Sequence, residues 1–124
     1  LRFLLGHRPD LLSEKTLAEI FRPHIDIPRK DKTLGNWRSL MDRAHYALGW
    51  RVLECGPDEL IYHGGYVNSF RAEVALLPGD GLAIAVLSNA PSRFISDCLP
   101  AFFELYQDFQ RERSEALRPL LSVR

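Results

Sequence analysis

Between His45 and Leu87 apolar residues recur at nearly every second position, in runs punctuated by turn chemistry. A period of two puts alternate side chains on opposite faces of an extended chain, so this stretch is committed to strands rather than helices. His45 to Cys55 reads as one strand, with Tyr46, Leu48, Trp50 and Val52 on a shared face. Gly56-Pro57-Asp58 is a turn, and Glu59 to His63 follows as a second strand, antiparallel to the first. Gly64-Gly65 interrupts the pattern; glycine weakens a strand, so the pair predicts a bulge or the close approach of another backbone. Ser69 to Leu77 resumes the alternation. Phe70, Ala72, Val74 and Leu76 take one face, and Arg71, Glu73, Ala75 and Leu77 the other, with Arg71 and Glu73 expected in solvent. Pro78-Gly79-Asp80-Gly81 is a hairpin turn, and Leu82 to Leu87, apolar on both faces, reads as a central strand.

The flanks have helical spacing. Leu1 to Leu5 reads as a helix end with Gly6 as its C-cap and Pro9 barring continuation. Ser13 is placed to cap a second helix carrying Leu17, Ile20 and Phe21, which Pro23 ends. From residue 23 to 44 periodicity is lost, and a long loop is expected, pinned by Trp37, Leu40 and Met41. A C-terminal helix is predicted over residues 92–113. Phe94, Ile95, Cys98, Leu99, Phe102, Leu105, Tyr106 and Phe109 form its apolar stripe, and Pro100 kinks it or starts it anew. Residues 114–124 read as a fraying tail. The division is therefore 1–22 helical, 23–44 loop, 45–89 antiparallel strands, 92–113 helix and 114–124 tail. Its fold class is α+β, an antiparallel sheet of about four strands with a C-terminal helix packed on it.

Composition narrows the function. The 124 residues suit one small domain, able to bury roughly two-thirds of the surface the unfolded chain exposes. Sixteen basic residues balance sixteen acidic ones. Nucleic-acid binding needs clustered positive charge; the basic stretch Arg22 to Arg43 offers only six such residues against three acidic ones and reads as a solvated loop. No apolar run approaches the roughly 20 residues that span a bilayer. Cys55 and Cys98 lack Cys-x-x-Cys spacing and read as buried or half-buried thiols, with a disulfide open if the protein is secreted. His7, His24, His45 and His63 are scattered without metal-ligand spacing, so neither a metal nor a cofactor is implied.

Several short motifs occur in a telling order: Tyr46-x-Leu48-Gly49-Trp50, His63-x-Gly65, Phe70, Pro78 and Ala85-x-Leu87-x-Asn89. Together they resemble the C-terminal part of the serine β-lactamase-like family. Its members include class C β-lactamases, D-alanyl-D-alanine carboxypeptidases (penicillin-binding proteins), D-aminopeptidases and related esterases. Leu4 to Pro23 fits as well, so the resemblance covers Leu1 to about Tyr106. It implies a β-lactamase/transpeptidase-like fold and acyl transfer through a serine ester on a small-molecule or peptide amide or ester. In that family a Lys-Thr-Gly or His-x-Gly triplet lines the cleft, the position held here by His63-Gly64-Gly65. The residue after the triplet lends an oxyanion-hole N–H, which would be Tyr66. On this basis His63, Gly65 and Tyr66 are candidate catalytic residues, and Gly64 and Asn68 candidate substrate-binding ones. Histidine in place of lysine turns the expectation from β-lactams toward carboxypeptidase, aminopeptidase or esterase substrates.

The chain departs from the family pattern in three ways. None of its eight serines is followed three residues later by lysine, so the nucleophile motif Ser-x-x-Lys is missing. Tyr66-Val67-Asn68 matches the second motif, Tyr-x-Asn, but stands on the wrong side of the triplet and reads as coincidence. Ser69 replaces a usual glycine before Phe70. The resemblance therefore implies that the nucleophile, its lysine and the true Tyr-x-Asn precede Leu1, in the N-terminal half of the same domain. This segment alone is then expected to be inactive and to expose apolar surface, with dimerisation as one outcome. By the family's common case the parent is periplasmic or secreted. The alternative is a stand-alone, non-catalytic binding or regulatory α+β module with a degenerate site.

Overall fold

The computed structural model describes residues 1–90 and 92–121, with side chains through Leu117. Its architecture is α+β: helix α1 (Glu14–Phe21), a six-stranded antiparallel sheet and a long C-terminal helix α2 (Phe94–Leu121). The strands are β1 (Ile25–Asp26), β2 (Arg43–Tyr46), β3 (Arg51–Cys55), β4 (Asp58–Val67), β5 (Phe70–Leu77) and β6 (Leu82–Ser88). They pair in chain order as a meander, each with its sequence neighbour.

The sheet has two strands more than the sequence predicted, one from a split strand and one from the expected loop. The expected single strand from His45 to Cys55 folds back on itself at Leu48-Gly49, where the Ala47 N–H donates to the Trp50 carbonyl at 2.8 Å. Gly49 supplies the positive φ of 85° that this two-residue turn requires. The turn reverses parity, so Tyr46 opposes Arg51 and shares its face, while Val52 lies on the other. Period-two counting through the turn had wrongly joined them. Within the expected loop of residues 23–44, Ile25–Asp26 adds a short edge strand and Lys32–Ser39 forms a 3-10 helix. Leu34, Trp37 and Met41 are buried beneath that segment, which explains why it is ordered despite its polar composition.

Gly64-Gly65 makes no bulge. β4 runs straight through the pair, with one-to-one register from Gly64↔Glu73 and Gly65↔Ala72 to Val67↔Phe70. The reversal comes later, at Asn68-Ser69, both at positive φ (47° and 72°).

Each sheet face carries its own cluster. Leu53, Leu60, Tyr62, Ala75 and Leu77 meet Leu99 and Phe103 of α2, together with Leu34 and Trp37 of the 3-10 helix. On the opposite face Val52, Ile61 and Leu76 meet Leu4, Leu5, Phe21 and Trp50. Arg71 and Glu73 were expected in solvent, but their face is the one α2 covers. Only 12% of the Glu73 side chain and 30% of the Arg71 side chain is exposed.

The N-terminal turns and α1 follow the reading, and α2 departs from it. Ser13 caps α1 through its Oγ, which accepts the Thr16 N–H at 3.2 Å. Residues 1–7 make helical-type turns (Leu5 N–H to Leu1 O, His7 N–H to Arg2 O), and Gly6 follows at φ 80°. α2 passes through Pro100 without a break and absorbs residues 114–121 of the expected tail; residues 122–124 lie outside the described part. Its buried stripe is Ile95, Leu99 and Phe103, whereas Phe94, Leu105 and Phe109 are exposed.

Candidate functional site

β4 is longer than its neighbour β3, and this difference creates the site. Pairing between them ends at Arg51↔Tyr62, while β4 continues to Val67 against β5. From His63 to Val67, therefore, one edge of β4 has no strand beside it among the described residues.

Hydrogen bonds elsewhere in the meander show which amides face that edge. Ile27 donates to the Ala44 carbonyl at 2.8 Å and His24 to that of Tyr46 at 2.9 Å, so Ala44 and Tyr46 turn their backbone groups toward β1. His45, and its partner Val52, therefore turn toward each other between β2 and β3. By alternation Arg51 turns toward β4, and its partner Tyr62 toward β3. Gly64 and Tyr66 share the parity of Tyr62, which directs their N–H and C=O groups to the open edge. His63 and Gly65 bond toward β5 instead.

Side chains follow the complementary logic. His63 and Gly65 lie on the face away from α2. His63 is exposed, its Nδ1 lies 2.6 Å from the Gly49 carbonyl, and its ring meets the edge of Trp50 at 6.2 Å. A carbonyl only accepts, so Nδ1 carries the hydrogen, and in the neutral ring Nε2 is left as the acceptor. Beyond His63 that face stays open: Val67, Phe70 and Leu87 border an apolar hollow of about 670 Å³ floored by Gly65 and Ala72. Tyr66 projects to the α2 face, where the Arg71 guanidinium lies 5.4 Å from its ring centre. Asn68 stands apart in the β4–β5 turn. Four of the five candidate positions thus share one strand end, split between its two faces.

The α2 side of that strand end carries polar groups that the sequence reading missed. A pocket of about 280 Å³ opens between the 3-10 helix and Gly64, walled by Arg51, Tyr62, Arg71, Glu73 and Ser96. Arg71 Nη1 donates to Ser96 Oγ and lies 3.8 Å from Glu73 Oε1. The Arg51 guanidinium sits 5.4 Å from the Tyr62 ring and 5.8 Å from the Tyr46 ring. Burial raises the Glu73 carboxyl above its ordinary range, opposed by Arg71, and pushes the Tyr62 phenol up to about 12. Glu73 packs over Gly64, where a Cβ would stand 3.4 Å from Glu73 Cγ, at the near edge of ordinary contact. The only signal in the sequence was charge on a supposed solvent face.

A second polar cluster lies farther along the sheet, where His45, 9% exposed, places Nδ1 2.8 Å from Asp26 and Nε2 2.8 Å from Glu54. It ties β1, β2 and β3 together. Among the described residues no group of three or more His, Cys, Asp or Glu is placed to hold a metal, and no helix is long and apolar enough to cross a membrane. Cys55 is buried and Cys98 half-buried, and both are free thiols.

No family model matches the chain, and no solved structure does. Over 86 residues, 69% of the chain, it is 28% identical to a curated protein of Aspergillus campestris described as Unguisins hydrolase ungD'. The matched region is 15% of that protein's length. The chain is thus distantly similar to a small part of a much longer hydrolase.

Proposed function

We propose that the chain is one wall of the cleft of a β-lactamase-like serine hydrolase, within a longer protein that acts on an amide or ester through an acyl-enzyme. The observation that carries this reading is the open edge of β4. There the Tyr66 N–H, next after His63-Gly64-Gly65, points away from β5 and is free to meet a substrate oxygen. A donor fixed in a strand needs little reorganisation as negative charge develops on a carbonyl oxygen, which is how an oxyanion hole lowers a barrier. Gly65 lets the reacting carbonyl approach one face of the strand, and His63 Nε2 on that face is suited to hydrogen-bonding substrate or sharing a proton. The apolar hollow beside Gly65 is the surface on which the N-terminal half of the domain would pack. The similarity to a named hydrolase supports the same direction at the level of general reaction class.

In this reading the nucleophilic serine is supplied from before Leu1. The test is labelling with a fluorophosphonate or a fluorescent penicillin. The longer gene product is expected to label on an upstream Ser-x-x-Lys serine, with this chain alone remaining unlabelled. An adduct on a serine of the isolated chain would overturn the proposal. So would a start codon close to Leu1, which would favour a stand-alone binding module.

A further inference from the structure

The pocket on the α2 side of β4 contains an unmatched donor and an unmatched acceptor. Arg51 Nε and Glu73 Oε2 are both buried and have no hydrogen-bond partner among the described residues. An unpaired buried polar atom is costly, so two in one pocket call for an explanation. Both side chains line the 280 Å³ space beside Gly64. Their positions are held independently of any ligand. Arg51 is stacked between Tyr46 and Tyr62, and Glu73 packs on Gly64 directly across the β4–β5 ladder.

From this arrangement we infer that the pocket between the 3-10 helix and Gly64 is a binding subsite for an uncharged carboxamide, whose carbonyl accepts from Arg51 and whose N–H donates to Glu73. The choice among ligand chemistries follows from the unmatched pair. A ligand carboxylate offers only acceptors and would leave Glu73 Oε2 unmatched, and an ammonium offers only donors and would leave Arg51 Nε unmatched. A carboxamide carries both an acceptor and a donor, so it satisfies the two together. Arg71 is already engaged by Ser96 and by the Tyr66 ring, which leaves Arg51 as the available donor. The raised carboxyl of Glu73 fits a group that is short of solvating partners until a donor arrives. The subsite adjoins the Tyr66 amide. Its role in choosing a peptide or amide substrate, but not its binding chemistry, rests on the hydrolase reading above.

The experiment is a titration of the isotopically labelled chain, followed by amide chemical shifts, with three small probes. These are N-acetylalaninamide, its carboxylate counterpart N-acetylalanine, and its ammonium counterpart alaninamide. The expected result is saturable shifts centred on Gly64, Tyr66 and the Trp37 indole for N-acetylalaninamide, with each charged probe at least 10-fold weaker. Glu73→Gln removes the negative wall and should narrow the gap for the carboxylate probe to within a few fold. A carboxylate that binds the native chain as well as the amide does would overturn the inference, as would shifts that avoid Gly64 and Tyr66. Both outcomes are read on the native chain, so they stand even if the Gln variant folds poorly. No nucleophile is involved, so failure here leaves the hydrolase proposal standing, and failed serine labelling leaves this one standing.

Discussion

Replacing Ser69 by glycine should stabilise the chain, and the size of the gain follows from one backbone angle. Ser69 closes the β4–β5 turn at φ 72°, after Asn68 at 47°. Two consecutive positive φ values are what a tight hairpin turn demands, and Asn-Gly is the pair that best supplies them. An L-residue in the left-handed region costs about 1–2 kcal/mol because its Cβ crowds the following carbonyl oxygen. Glycine removes that cost but brings extra freedom in the unfolded chain, which takes back about 0.5–1 kcal/mol. The net expectation is a gain of about 0.5–1 kcal/mol, or roughly 3 °C in melting temperature for a chain of this size. Urea unfolding followed by tryptophan fluorescence measures it as a higher midpoint at unchanged slope. Two companions sharpen the test. Asn68→Gly should gain much less, because asparagine already tolerates positive φ. Ser69→Val should lose at least about 1 kcal/mol, because a β-branched side chain is a poor fit there. A Ser69→Gly protein no more stable than the native chain would refute the strain argument, and with it the view that this turn is held in place by its strands.

The unequal partnering of β4 makes a second prediction. Tyr66→Pro removes an N–H that faces the open edge, whereas Gly65→Pro removes one bonded to β5, so the second should cost at least about 1 kcal/mol more in denaturant unfolding. Equal losses would mean that the parity assigned to this strand end is wrong. A third concerns Cys55, whose thiol burial pushes up to about 11 from an ordinary value near 9. The folded state then holds its proton more tightly than the unfolded state. Stability from this group is fully present below about pH 9 and falls as the pH rises toward 11. Cys55→Ala should flatten unfolding midpoints measured across that window, and Cys98 should react first with a thiol reagent at pH 8. An unchanged pH slope in Cys55→Ala would count against the burial of that thiol.

Periodicity alone determined the α+β class, the antiparallel order and the strand that carries His63. Alternation and helical spacing are written residue by residue, and meander neighbours in sequence become neighbours in space. The Ser13 cap and the Gly6 turn were legible for the same local reason. The turn at Leu48-Gly49 was not, because a two-residue reversal leaves the alternating pattern of His45 to Cys55 unbroken to the eye. The 3-10 helix was hidden too: its order comes from burying Leu34 and Trp37 against strands and a helix that arrive later in the chain.

At the candidate site the division is sharper. The sequence by itself identified His63-Gly64-Gly65-Tyr66 as the stretch of interest. It could not show that β3 stops beside Tyr62, which is what opens the edge and makes the Tyr66 amide available. Nor could it show that Arg71 and Glu73 lie under α2, because alternation says which residues share a face and never which face is covered. That covering is a tertiary event, decided when Leu99 and Phe103 of α2 bury against Leu53, Leu60 and Ala75. The same docking walls the pocket that Arg51 and Glu73 both line. The charges were plain in the chain, and only packing gave them a low-dielectric setting.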